Sequence, residues 1–337
     1  MKDRRPAPRT WRTPRSSRKR ASPPPSEGGE FVARGTEPAD IRTRRLAYAA
    51  LATAAVLWGA SFLLGKLALA EVPPSYLILY RFVLASAVML PFVRWSRLAW
   101  SRPTAWLVLA CALVAGPLMF LVQFEGLART TASSAALLVA AAPPMLALAA
   151  AVFDGERPTR LAWFAIGLAT VGAVLLVGRP GPGRTLLGDG LVLTSMVAAV
   201  AWTLLARRLS RRIGALAATA LQFALGAVIL VPVAWVLEGP PPLALTGGTW
   251  ASVLALGVAC TAVTFGLWNW GMLHVEAARG GVVGNLEPLI GSLLGVAFLG
   301  EVLGPYSLVG GVLLLVAAVL VTRPVHPRAI APAEAAP

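Results

Sequence analysis

The sequence predicts an all-α integral membrane protein in which ten transmembrane helices form two five-helix repeats of inverted topology. Three observations predict it. Of 337 residues, 57% are hydrophobic and 13% charged, with a mean hydropathy of +0.72. An ordinary soluble domain carries about 25% charged residues, so a globule of this composition could not keep its exterior wet. The apolar residues gather into ten runs of membrane-spanning length, and short signatures recur about 144–145 residues apart.

Residues 1–45 come first. They hold thirteen of the thirty Lys and Arg against five acids, with Pro23-Pro24-Pro25 and little aliphatic periodicity. Such a segment buries too little apolar surface to offset its ordering entropy, so a disordered, basic cytoplasmic tail is expected. Its charge suits a polybasic arm for anionic lipid, a solvated tail that sets orientation, or residues upstream of the true initiator. Nucleic acid is not an expected partner, because no aromatic residue beyond Trp11 interleaves with the basic ones. A long charged region ahead of a full-length span also argues against a signal peptide.

Crossing about 30 Å of hydrocarbon at 1.5 Å per residue takes roughly 20 residues. On that ruler the spans fall near 46–70, 75–96, 104–124, 131–153 and 159–178, then 188–207, 213–237, 249–273, 279–299 and 305–322. Residues 46–178 form the first repeat, 179–187 an external linker, 188–322 the second repeat and 323–337 a cytoplasmic tail. Barrel strands would alternate over about ten residues, and these runs do not. With the first tail inside, twenty-five Lys and Arg lie on the cytoplasmic side and three (Arg129, Arg179, Arg184) outside. That bias places both termini in the cytoplasm.

The repeat shows in Ala54-Ala55-Val56-Leu57-Trp58 against Ala198-Ala199-Val200-Ala201-Trp202. It shows again in Gly126 against Gly271, Pro143 against Pro288, and Gly155-Glu156 against Gly300-Glu301. Five spans is an odd number, so the second copy enters the membrane upside down. Inverted pairs related by an in-plane axis are the architecture of many secondary transporters, with a site near the midplane.

Leu57-Trp58-Gly59-Ala60-Ser61-Phe62, Lys66, Pro73-Pro74 and Arg81-Phe82 resemble the opening of the EamA-like branch of the drug/metabolite transporter superfamily. Thr131-Ala132-Ser133, Pro143, Gly155-Glu156, Gly167 and Gly188-Asp189 carry the resemblance onward, over about residues 46–322 in two copies. The resemblance implies ten helices and transport of a small metabolite, amino acid or drug without ATP, and with no organelle signal in the sequence it implies the cell membrane. Two departures stand out: Pro143 is doubled by Pro144, and Glu287 precedes Pro288 where the first copy has Ala142.

Glu287 is the most informative residue, about eight residues into span 9. A carboxylate at that depth costs several kcal/mol unless it is protonated, paired or hydrated. It is read as a proton-coupling or cation-binding group facing a substrate cavity, or else as a structural partner of Asn285 or a neighbouring helix. Pro143, Pro144 and Pro288 free backbone carbonyls near mid-membrane and serve as pivots or as static kinks. The expected cavity is lined by Trp58, Ser61, Phe62, Arg81, Gln123, Trp202, Asn269 and Glu287; aromatic rings with a few amides suit an amphipathic organic solute. Trp268 and Trp270 fall near a membrane boundary, where aromatic belts form. Lys66, late in span 1, is expected to snorkel to the outer interface. Glu156 and Glu301, ending spans 4 and 9, are read as capping or gating groups.

Gly178-Arg179-Pro180-Gly181-Pro182-Gly183-Arg184-Thr185 has the outline of a phosphate loop but lacks its Lys and a preceding strand. His274 and His326 are too few for a zinc site, so neither metal nor cofactor is expected. The expected partners are the bilayer, a small-molecule substrate and protons. The leading reading is a secondary exporter working by alternating access. The alternative is a non-transporting membrane protein, either an intramembrane enzyme or a scaffold acting through its basic tail.

Overall fold

The computed structural model describes residues 41–98, 100–153, 159–177, 183–275 and 277–322. Every regular element among them is helical. Among the described residues nine helices are long and apolar enough to cross a membrane: α1 (Ile41–Ala68), α2 (Pro74–Phe92), α3 (Arg102–Ala128), α4 (Ala132–Ala149), α5 (Arg160–Val177), α6 (Leu186–Ile213), α7 (Ala215–Glu238), α8 (Gly247–Met272) and α9 (Arg279–Leu299). An apolar helix of 17 residues or fewer, α10 (Pro305–Val321), follows. The expected tails, apart from Ile41–Arg45, and Gly155-Glu156 lie outside the described residues.

Two boundaries differ from the hydropathy reading. Helix α1 begins at Ile41, so Arg42, Arg44 and Arg45 ride on the helix and not in the tail. Helix α6 runs to Ile213 and carries Arg207, Arg208, Arg211 and Arg212 in helical register. The charges mask that continuation in a hydropathy window. Leu209 and Ile213, both buried, sustain it, and Gly214 ends it at φ +82°.

The helices at the centre are irregular in matched ways. Helix α4 is broken between Ala132–Val139 and Ala142–Phe153, and α9 between Ala277–Gly284 and Leu286–Leu299. Proline has no N–H to donate, and only in the first turn of a helix is no intrahelical bond lost by that. Pro143, Pro144 and Pro288 accordingly open the second segments. Helices α3 and α8 each widen into a π-helical stretch, Val114–Leu121 and Ala255–Val263.

Small residues let the helices touch through their backbones. A Cβ on Gly59 would sit 2.8 Å from the Glu287 carbonyl oxygen and 2.9 Å from the Gly291 nitrogen, so α1 and α9 cross there in direct contact. The Gly291–Gly295 spacing is indeed packing: Gly291 faces Ala136 and Gly295 faces Ser133, both on α4. Contacts also recur between counterparts. Gly126 lies against Val192 and Gly271 against Ala47; residues 126 and 271 stand 145 apart, as do 47 and 192. Arg81 bonds Thr261, and Gly226 lies against Gly116, each 145 from its counterpart in the first pair.

One end of the bundle is tied by polar caps. Glu301 accepts from Ala132 N–H (2.7 Å), Ser133 N–H (2.8 Å) and the Ser133 hydroxyl, closing the N-terminus of α4. Glu71, in the turn after α1, accepts from Thr246 N–H (2.8 Å) and the hydroxyls of Thr246 (2.6 Å) and Thr249 (2.8 Å), closing the N-terminus of α8. These bonds, the Thr246 hydroxyl first, hold the Glu71 carboxyl below its ordinary titration range. The ammonium of Lys66 does not reach out to solvent by snorkelling. It donates to the carbonyls of Leu127 (2.9 Å) and Thr130 (2.6 Å) at the C-terminus of α3, where the helix dipole favours a cation.

Candidate functional site

The central side chains form a continuous aromatic cluster that links both halves. Trp58 on α1 meets Trp268 (5.0 Å between ring centroids) and Phe265 (5.4 Å), both on α8. Phe265 also meets Trp202 on α6 (5.8 Å) and Phe223 on α7 (5.3 Å). From Phe223 the cluster continues to Phe82 on α2 (4.7 Å), and Phe82 meets Phe120 on α3 (5.5 Å). Trp202 donates its indole N–H to Gln222 at 2.9 Å. Edge-on and tilted pairs of this kind add to the area they bury, and they present π faces to anything admitted between them.

Arg81 terminates the cluster, 1% exposed. Its Nε donates to the Thr261 hydroxyl (2.6 Å) and one terminal nitrogen to the Cys260 carbonyl (3.2 Å), both in the π-helical stretch of α8. Its guanidinium lies over Phe120 at 4.7 Å. π-Helical turns leave wide, under-bonded backbone and gather at functional sites. Among the described residues no ion pair joins Arg81 to Glu287.

Glu287 is half-buried and lies in the first turn of the second segment of α9, beside the break at Asn285. The amide end of that segment favours a negative charge, and broken-helix termini within membranes commonly bind ions or substrate groups. The residues around the break, Gly281 to Glu287, are all partly exposed. Trp268 packs beside them: a Cβ on Gly284 would lie 3.1 Å from its ring.

The structure thus brings Trp58, Trp202 and Arg81 into one cluster and sets Glu287 beside it across the Gly59 crossing. Asn269 is half-buried on α8, and Gln123 is buried on α3. Ser61 and Phe62 are buried as well. The Ser61 hydroxyl donates to the Trp58 carbonyl of its own helix at 2.6 Å, and Phe62 is 3% exposed against Gly291. The stripe on α1 is wider than the face it turns inward, so its flank packs on α9. Trp268 belongs to the interior, whereas Trp270 is 39% exposed.

Sequence reasoning missed Phe265 and Phe223, which are indistinguishable there from ordinary core. It also missed the Arg184–Asp189 ion pair, fully enclosed, with Asp189 accepting from Thr130 and Arg184 donating to Ser307 at 2.6 Å. The Gly188-Asp189 motif was the available signal. Arg184, counted as an external loop charge, gave none.

Comparison with known proteins bears on what this arrangement does. A model of the EamA-like transporter family matches residues 45–178 and again 186–323. A protein of Archaeoglobus fulgidus named an uncharacterized transporter is 28% identical over 82% of this chain and 97% of its own length. The uncharacterized transporter YwfM of Bacillus subtilis is 28% identical over 84% of this chain and 95% of its own. A biotin transporter of Salmonella typhimurium is 27% identical over 72% and 81% respectively. A crystal structure covering 81% of this chain and 95% of the other superposes with a TM-score of 0.56 at 21% identity, which shows a shared fold.

Proposed function

The chain belongs to the EamA-like transporter family, and from that premise we propose an ATP-independent exporter of a small organic solute that works by alternating access between two inverted five-helix repeats. The coarse statement, a multi-pass membrane transporter, follows from family and composition. The finer reading is supported most by two paired contacts: Gly126–Val192 is matched by Gly271–Ala47, and Arg81–Thr261 by Gly226–Gly116, each at a spacing of 145 residues. A two-fold relation between halves produces that pattern, and five spans per half make the relation an inversion. Helix α10 counts as the tenth span, because a 17-residue helix is about 26 Å long, near the hydrocarbon thickness.

The basic residues set the orientation, with both termini cytoplasmic and the chain in the plasma membrane. The tied end then faces outward. Lys66 binds the C-terminus of α3 there. Its counterpart Arg211, at the other end, donates no hydrogen bond among the described residues and is exposed. An outer face closed by caps, with the inner counterpart of Lys66 unbonded, is the asymmetry that one state of an alternating-access cycle requires. The breaks before Pro143, Pro144 and Pro288 are the pivots. Trp58, Trp202, Arg81, Gln123 and Asn269 line the solute's path, and Glu287 exchanges the coupling proton.

Flux into proteoliposomes tests this with a panel of amino acids, nucleobases, cationic dyes and biotin (the last because one relative is named for it), with and without a pH gradient. Protein-dependent movement of at least one solute is expected, with its pH dependence abolished in Glu287→Gln. Failure of every solute sinks the reading; pH-dependent flux in Glu287→Gln sinks the coupling role alone.

A further inference from the structure

A groove of about 610 Å³ runs between the start of α3 and the end of α6, within the roughly 300–1,000 Å³ range of small-ligand sites. One wall is Trp106, Leu107 and Ala110; the other is Arg208, Arg211 and Arg212. The spacing i, i+3, i+4 puts the three arginines on one stripe of α6. Like charges so placed repel one another, and among the described residues neither ion pair reaches them. The dipole at the end of α6 offsets part of that repulsion. Fifteen guanidinium N–H donors still face a wall that offers them no acceptor side chain.

The groove's depth indicates the missing anion. Trp95, Trp100 and Trp106 are 57%, 58% and 70% exposed around the start of α3, and exposed indoles mark the headgroup level of a bilayer. Below Leu107 and Ala110 the same face of α3 continues through exposed Leu113 into the hydrocarbon. A positive upper wall, an indole at the glycerol level and an apolar track beneath together complement one amphiphile. We infer that this groove binds an anionic phospholipid, its phosphate held by Arg208, Arg211 and Arg212 and an acyl chain lying along α3. The inference needs only the membrane placement of the chain and is independent of transport. Because α3 and α6 belong to different repeats, the lipid bridges the seam between them.

The test is native mass spectrometry of the delipidated full chain in detergent mixed with phosphatidylglycerol or phosphatidylcholine at equal mole fraction. Phosphatidylglycerol is expected to bind preferentially, and less at high salt. The double variant Arg208→Gln/Arg212→Gln is expected to weaken it about 30-fold, at the usual value of one basic residue near an anionic surface. Arg207→Gln, outside the lining of the groove, should leave it largely unchanged. Equal binding of phosphatidylcholine by the wild-type chain overturns the proposal without any variant. So does undiminished binding by the double variant, or displacement of the lipid by millimolar inorganic phosphate, which would make this a soluble-anion site.

Discussion

Replacing Glu301 by Gln keeps the side chain's shape and removes its charge, and the structure says how much that should matter. The carboxylate accepts three hydrogen bonds, from two backbone amides and one hydroxyl at the N-terminus of α4. Hydrogen bonds to charged groups contribute about 1.5–3 kcal/mol each, and an anion at a helix N-terminus adds about 0.3–1 kcal/mol. The Gln amide retains one acceptor oxygen and turns an NH2 group towards an N–H, so Glu301→Gln should cost about 2–4 kcal/mol. Ser133→Ala removes one of the three donors, and its backbone amide remains. A double-mutant cycle between the two, read by thermal unfolding in detergent, should give a coupling of about 1–2 kcal/mol. Glu301→Gln alone should lower Tm by about 5 °C or more. Gly295→Ala should imitate it, since a methyl there would fall 2.4 Å from the Ser133 hydroxyl oxygen and 2.5 Å from the Glu301 carboxylate. An unchanged Tm in Glu301→Gln, with additivity within 0.5 kcal/mol, would refute the capping argument.

Gly59→Ala should force α1 and α9 apart at a cost of about 1–3 kcal/mol, seen as a lower Tm and a loss of monodisperse protein. Asp189→Asn leaves Arg184 buried without its charge partner and should cost about 3–5 kcal/mol, whereas Glu125→Gln at the exposed Arg129 pair should stay within about 1 kcal/mol. Glu71 titrates below its ordinary value of 4.5 because Thr246 and Thr249 bond the charged form. Its contribution is therefore full above that ordinary value and lost as pH falls through the lower, folded one. The Tm difference between wild type and Glu71→Gln should accordingly be constant from pH 5 to 8 and shrink as the pH falls below 4.5.

Composition and periodicity determined the membrane class and the places of nine apolar spans among the described residues. Those follow from one-dimensional quantities: the length of an apolar run, the sign of flanking charge, the spacing of identical residues. The prolines announced helix breaks for the same reason, since a missing N–H is a property of the residue wherever it sits. Only the tertiary structure decided which side chains meet. Lys66 was legible as a cation near a membrane face, but its partners are carbonyls at the end of α3, some sixty residues away. Phe62 was legible as part of the inner stripe of span 1 and Phe265 only as an apolar residue, yet Phe265 joins three aromatic neighbours and Phe62 wedges against Gly291. The charged stretch from Arg207 to Arg212 looked like a loop to a hydropathy scale because the scale averages over the helix. Burial of Leu209 and Ile213 on one face, which no average records, kept it helical.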